Sequence, residues 1–344
     1  NMYISSTKKL FTMNKTKEIW IAGFALFSLF FGAGNLILPP TLGAKAGVDW
    51  WIVVLGFIIT AIAIPILAIF AHAKLQGTLY DFGKKVSPVF STLFCFLIYI
   101  IAVAIPSPRT AAVTHEMAIQ PFFDTSPTLT ATIYFVLVFL FSVNRSRIIS
   151  LIGKFLTPII VVILLIIIGI SFFTSAGSLS PSTFANPFID GILEGYQTFD
   201  AIAGVVVGAV IIISLDYSSH TTFDAKRKLI RKAGTIAGIG LLLIYGGLIL
   251  SGALYASTFA ENATRTEVLS SLSTQTLGNF GTTFLSVLVA LACFTTAVGI
   301  VTGTADYMKG ISNNSKKAYI ITAAIASVVG VIVGSYQVDF IITL

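Results

Sequence analysis

The sequence predicts an all-α membrane protein of two five-span halves, the second inserted upside down relative to the first. Three observations predict it. Hydrophobic residues make up 56% of the chain and charged residues only 10%, a balance foreign to soluble domains. Apolar stretches of membrane-crossing length recur along it. Two of them, five spans apart, carry polar or helix-breaking residues at mid-depth.

Residues 1–16 form a polar, basic tail. The lysines ahead of an apolar run imitate a signal peptide, but Ile19–Leu38 is longer than a typical h-region, so the segment is expected to be retained. The first stretch, 19–46, contains Phe30-Phe31-Gly32-Ala33-Gly34-Asn35-Leu36-Ile37-Leu38-Pro39-Pro40. Non-helical backbone at membrane depth is tolerated only where it is buried in protein or lines a cavity. The interruption is therefore either a binding site or a Gly/Pro kink that shapes packing.

The second stretch, 50–73, opens with Trp50 and Trp51 at the outer interface and holds Pro65, a kink site. Residues 74–87, with Gly77, Gly83 and three lysines, suit a turn. The third stretch, 88–106, runs into Pro106-Ser107-Pro108-Arg109, and Thr110–Gln120 has room for three more helical turns. Arg109 and Glu116 are seven apart and share a helix face. Either they are functional groups near membrane depth, or Arg109 snorkels to the outer interface and Glu116 stands in water; the second reading is the simpler.

The fourth stretch, 128–143, ends at Asn144-Arg145-Ser146-Arg147. The fifth runs from about 148 to 173, with its apolar core at 155–173 and a lipid-suited aliphatic face beyond Thr157-Pro158. Residues 174–187 are rich in Ser, Pro, Asn and Gly without Lys or Arg, as expected of an external loop. The sixth stretch, 195–215, begins polar and carries Asp200 close to membrane depth, with Gly204 and Gly208 four apart. That spacing serves close helix packing or, beside an acid, a second functional break.

Residues 216–232 are strongly basic, 233–256 form the seventh span, and 257–279 are polar and external. The eighth span, 281–305, carries Ala292-Cys293-Phe294-Thr295-Thr296. Its two hydroxyls either bond to their own backbone or act as hard oxygen ligands. The ninth span is 318–334, and a tenth begins near Asp339. With Asn at position 1 and the tenth span stopping at Leu344, the chain reads as a C-terminally truncated fragment.

If alternate loops share a side, all but Lys45, Arg109 and Arg265 of the 21 Lys and Arg residues fall with the N-terminus. The positive-inside rule then places that side in the cytoplasm. The net charge of +7 is thus a topology signal rather than a nucleic-acid footprint. Cys95 and Cys293 each sit in an apolar run and imply neither a disulfide nor a metal. His72, His115 and His220 are isolated, with no HExxH and no nucleophile–base spacing, which argues against an enzyme. No ring of charge or repeated filter motif suggests a channel.

These spans divide the chain into a first half at 17–173 (spans 1–5), the external loop 174–187, and a second half at 188–344 (spans 6–10). An odd number of spans per half inverts the second. Interrupted helices at corresponding places in inverted halves are the sequence mark of a transporter's binding site. Half-helix N-termini suit a carboxylate, and freed carbonyls suit a cation or an ammonium group. Surrounding Phe, Val, Ile and Leu suit an apolar tail, so a zwitterion with an aliphatic side chain meets all three conditions.

Three segments also carry a resemblance. FFGAGNLILPP at 30–40, AIPSPRTAAVTHE at 104–116 and EGYQTFDAIAGVVVGAVI at 194–211 resemble the branched-chain amino acid:cation symporter family of bacteria. The resemblance covers nearly all of the chain from about Lys15. It implies the five-plus-five inverted-repeat transporter fold with discontinuous helices 1 and 6. It also implies a multi-pass protein of the bacterial cell membrane that imports Leu, Ile and Val, with membrane lipid and no nucleic acid as its surroundings. No cofactor is implied beyond a coupling ion, Na⁺ in the first reading and H⁺ through Asp200 in the alternative.

By motif, Phe31, Gly32, Ala33, Gly34 and Asn35 correspond to the unwound first helix that holds the substrate. Phe199, Asp200, Ala201 and Gly204 are the sixth-helix contributors. The resemblance implies a Na⁺ site of Ser28 and Phe31 carbonyls, the Ala292 carbonyl, and the Thr295 and Thr296 hydroxyls. Five oxygens suit a small hard cation. One departure is Ser107 between two prolines, where a plain Ile-Pro-Arg is expected in many relatives; it leaves the place of Arg109 open.

Overall fold

The computed structural model describes residues 15–75, 79–144, 147–174, 178–206 and 223–343, and the regular structure within them is helical. Residues 1–14 of the tail, Gly77, Arg145 and Ser146, residues 216–222 with His220, and Gly208 with the rest of the sixth span beyond Val206 lie outside the described residues.

The first span is broken. α1 (Lys15–Phe30) ends, and α2 (Ala33–Ala46) starts after an extended Gly32 at φ −111, ψ −172. Pro39 and Pro40 lie inside α2, where neighbouring helices enclose the backbone they leave unpaired. That enclosure is tight. A Cβ on Gly43 would collide with the Ile249 backbone, and one on Gly252 with that of Pro40, so α2 crosses α12 (Phe223–Leu254) backbone to backbone.

The second span runs from α3 (Trp50–Ile58) through a π turn (Ile59–Ala63) to α4 (Ile64–Leu75). The expected kink at Pro65 takes this form: the wide turn ends two residues before the proline, which has no N–H to close an ordinary helical bond. After the short α5 (Leu79–Lys84), Ser87 caps α6 (Pro88–Ala104) by accepting from the Phe90 N–H at 3.0 Å. Ile105, at φ −121, ψ −69, interrupts the third span before α7 (Pro106–Thr114), as the residue ahead of a proline is pushed out of the helical region. A second π turn, His115–Ile119, ends it.

α8 (Pro127–Asn144) and α9 (Arg147–Thr174) match the fourth and fifth spans closely. The sixth span starts as α10 (Pro187–Tyr196), capped by Asn186 with Pro at the first helical position. Residues 197–199 break it, and α11 (200–206) resumes at Asp200. The breaks thus fall at 31–32, on the first glycine of that motif, and at 197–199, just ahead of the acid that marks the other.

Two boundaries differ from expectation. α12 starts at Phe223, ten residues before the apolar run, because Lys and Arg are good helix formers that hydropathy ignores. The polar stretch before the eighth span is largely helical. Thr264 and Glu267 form a capping box at the start of α13 (Arg265–Ile311), which bends at Gly278 with φ 72. α14 (Lys316–Gly334) and α15 (Val338–Thr343) complete the described chain.

The helices sort into two groups. α10 packs on α3, and α12 packs on α1, α2 and α4. Opposite them, α7, α8, α13 and α14 share their own buried cluster, including Ala111, Phe135, Val138, Ala297, Val301 and Ala323. The two helix breaks lie where these groups meet.

Candidate functional site

A cavity of about 320 Å³ lies between the breaks, within the range of small-molecule sites. Its polar border comes from α2, α7, α11 and α13. Gly32, Gly34, Asn35, Phe199 and Asp200 border it, with Thr295 and Thr296 across from them. Ala102, Ile202, Ala203, Val206 and Ile300 supply the aliphatic wall.

Asn35 links the two breaks. It is 1% exposed. Its Oδ1 accepts the Gly32 N–H at 3.2 Å, closing the first break from within its own span. Its Nδ2 donates to Asp200 Oδ2 at 2.6 Å and to the Tyr245 hydroxyl. Tyr245, buried on α12, donates in turn to Asp200 Oδ2 at 3.2 Å. Asp200 therefore opens α11 with its side chain held by Asn35 and Tyr245 and its backbone N–H by Thr198, and an acid in a first helical turn is favoured by the helix dipole.

The second break is held differently. Phe199 has φ +61, a left-handed conformation that is uncommon for a bulky residue. Thr198 braces it: its hydroxyl donates to Gly195 O at 2.8 Å and accepts the Asp200 N–H at 3.2 Å. Arg109 completes the bracing. Its Nη1 donates to Gln197 O at 2.7 Å, and its guanidinium lies 5.4 Å from the Phe199 ring centroid.

That placement overturns the simpler expectation for Arg109. The side chain is 2% exposed rather than snorkelling, because the break at Ile105 turns α7 inward. Glu116 is not in water either. It accepts from the Thr266 hydroxyl at 2.5 Å and from the Val338 N–H at 2.8 Å. Near it, Arg265 bridges Glu194 at 2.9 Å and Asp339 at 2.7 Å, tying the start of α13 to α10 and α15.

The remaining candidates are placed as follows. Ser28 lies in α1 and Ala33 opens α2. The Phe31 ring is buried and stacked on Phe27, with centroids 5.1 Å apart. Ala201 is in the first turn of α11. Gly204 serves packing: a Cβ there would come within 2.8 Å of the Pro65 carbonyl oxygen. The Thr295 and Thr296 hydroxyls both donate to Ala292 O, at 2.9 and 3.0 Å, which is the backbone-bonding alternative. A hydroxyl that donates keeps its oxygen lone pairs for another partner. A Cβ on Gly32 would stand 3.9 Å from Thr296 Oγ1, so this pair faces the first break. Among the described residues no cluster of His, Cys, Asp and Glu could hold a metal.

Sequence reasoning missed Tyr245 and Thr198. The signal for Tyr245 was a phenol in mid-span beside Gly246 and Gly247, since a buried tyrosine hydroxyl needs a partner. Thr198 carries no signal above that of many other threonines in the chain.

The comparisons with known proteins agree with this geometry. A family profile described as branched-chain amino acid transport protein matches residues 15–344. The chain is 36% identical over 300 residues to the branched-chain amino acid permease BraB of Bacillus subtilis (strain 168), covering 85% of this chain and 67% of that one. It is 33% identical over 306 residues to the permease BrnQ of the same organism, covering 86% and 70%. Among solved structures, the inward-facing conformation of Mhp1 superposes with a TM-score of 0.64 over 90% of this chain and 69% of that one. At 13% identity that likeness concerns the fold, the five-plus-five inverted repeat.

Proposed function

Because the chain belongs to the branched-chain amino acid transport protein family, we propose that it is a secondary transporter that imports leucine, isoleucine and valine across the bacterial plasma membrane by cation symport. The observation that supports this best is the cavity at the two facing helix breaks, lined by Arg109 and Asp200 together with aliphatic side chains. A branched aliphatic side chain fits against Ile202, Val206 and Ile300, while Asp200 and the freed carbonyls meet its ammonium group.

In this reading the basic helix ends face the cytoplasm. The Arg265 bridges and the Glu116 bonds then lie outside and close the outer path. Transport follows as the group containing α1–α4 and α10–α12 rocks against α7, α8, α13 and α14. Na⁺ couples the two groups by joining Ser28 and Phe31 of the first span to Ala292, Thr295 and Thr296 of α13. The contact between Gly32 and Thr296 supports a site there.

A second reading uses H⁺. Asp200 is 2% exposed and lies at the cavity between Asn35 and Tyr245, as a proton carrier would. One experiment separates the two readings: leucine uptake into proteoliposomes with an imposed Na⁺ or H⁺ gradient. Na⁺ coupling predicts uptake driven by Na⁺ alone. It also predicts that the Thr295→Ala/Thr296→Ala protein needs roughly tenfold more Na⁺ for half-maximal uptake, the scale on which metal sites respond to loss of supporting groups. Uptake driven by H⁺ alone and abolished in Asp200→Asn would select the second reading. No uptake of any branched-chain amino acid under either gradient would remove both.

A further inference from the structure

We infer that Arg109 binds the carboxylate of the transported amino acid, an inference that rests on the reading of the cavity as the amino-acid site. The expected carboxylate donors were the N–H groups at the start of α2. The first of these, on Gly32, is already taken by Asn35 Oδ1 at 3.2 Å. A guanidinium stands at the same place instead. A Cβ on Gly34 would lie 2.5 Å from Arg109 Nη2 and 3.0 Å from Cζ, so the group rests directly on the first turn of α2.

This arrangement is electrostatically incomplete. A cation lies against the positive end of a helix dipole, where an anion belongs. Burial at 2% exposure makes the mismatch costly. The compensation within the chain is partial: the Phe199 ring lies 5.4 Å from the guanidinium but carries no formal charge. Nη1 has a neutral carbonyl, Gln197 O, and Nε has no hydrogen-bond partner. Among the described residues no carboxylate is within ion-pair distance of Arg109. The acid that shares the cavity, Asp200, has its Oδ2 committed to Asn35 and Tyr245.

A carboxylate entering the cavity meets these needs together. Guanidinium and carboxylate pair in a planar, charge-assisted geometry that a lone helix end does not offer. The anion would also lie between Arg109 and the α2 dipole, turning an unfavourable pair of charges into a favourable sequence. Arg109 on α7 and Asp200 on α11 then face opposite charges of one zwitterion. The site selects amino acids over simple amines of the same shape.

The test measures displacement of radiolabelled leucine from the purified, reconstituted protein by leucine and by leucinamide, which keeps the ammonium and side chain but lacks the carboxylate. Leucinamide is expected to bind about tenfold or more weakly in the wild type, the scale of a charge-assisted bond. In Arg109→Gln, loss of the brace at the second break weakens both ligands, but leucine loses a further factor of about ten that leucinamide does not, so the ratio collapses towards one; Arg109→Lys keeps part of it. A structural role for Arg109 would weaken both ligands alike and leave the ratio unchanged, and that outcome overturns the inference. So does a wild type that binds leucinamide as well as leucine, a result that needs no variant to fold. A wild type that binds leucine, with a ratio insensitive to Arg109, overturns this inference and spares the functional reading. A wild type that binds no branched-chain amino acid overturns both.

Discussion

The two helix breaks face the same cavity but are built on different terms. At the first, Gly32 is extended, a conformation open to any residue, and its N–H is closed by Asn35 three residues on. At the second, Phe199 sits at φ +61, a placement that costs about 1–3 kcal/mol. That strain is held by Thr198 from within and by Arg109 from another span. The first break is a local property of its own sequence, whereas the second exists only in the assembled protein. The asymmetry explains why the first was readable as an interruption of glycine, asparagine and proline, and the second only as a polar start with an acid.

The largest expected effect comes from removing the link between the breaks. Asn35 is bonded to Gly32, to Asp200 and to Tyr245. Asn35→Leu loses those three bonds and leaves the Tyr245 and Asp200 side chains with only the bond they share, at about 1 kcal/mol or more for each bond lost. Leucine uptake is expected to fall by roughly 100-fold, the equivalent of about 3 kcal/mol, with a lowered Tm in detergent. Tyr245→Phe removes one partner and should cost about tenfold or less. Near-normal uptake with Leu at position 35 would mean that the breaks are not joined through this side chain.

How much was legible follows the same division. Positions fixed by local chemistry could be read: the spans from hydropathy, the first break from Gly32 and Asn35, the interruption of the third span from Pro106 and Pro108, and the threonine pair from its place in the eighth span. The departure of Ile105 from the helix is a direct consequence of the proline ring that follows it. Positions fixed by contact between distant spans could not be read. Nothing near Tyr245 names Asn35, which is 210 residues away, and nothing near Arg109 names the Gln197 carbonyl, 88 residues away. Gly204 was legible as a candidate but not as to role, since only the approach of Pro65 assigns it to packing. Polar helical stretches, such as the starts of α12 and α13, escape hydropathy altogether.

A smaller effect distinguishes the breaks by backbone alone. Phe199→Ala and Phe199→Gly both remove the ring beside Arg109, so their difference reports only the φ of +61. Glycine bears that conformation freely, whereas alanine pays about 1 kcal/mol or more. The Gly variant should therefore have the higher Tm, the reverse of the usual order in a helical protein. An Ala variant as stable as the Gly variant would remove the strain from the second break and, with it, the contrast between the two.

The smallest effect is expected at the first break. Gly32→Ala puts a methyl group 3.5 Å from Asn35 Oδ1 and 3.9 Å from Thr296, ordinary contact distances, on a backbone that alanine adopts without strain. Restricting the unfolded chain at such a site is mildly stabilising, by about 0.4–1 kcal/mol at most. Tm should therefore stay level or rise slightly, even though the residue looks in sequence like the indispensable hinge of the span. Stability and transport need not move together here. The new methyl group projects towards the threonine pair, so a change in the Na⁺ concentration for half-maximal uptake with an unaltered Tm would assign Gly32 to clearance at the cation site rather than to the break. A loss of Tm as large as that of Phe199→Ala would instead show the first break to be as constrained as the second.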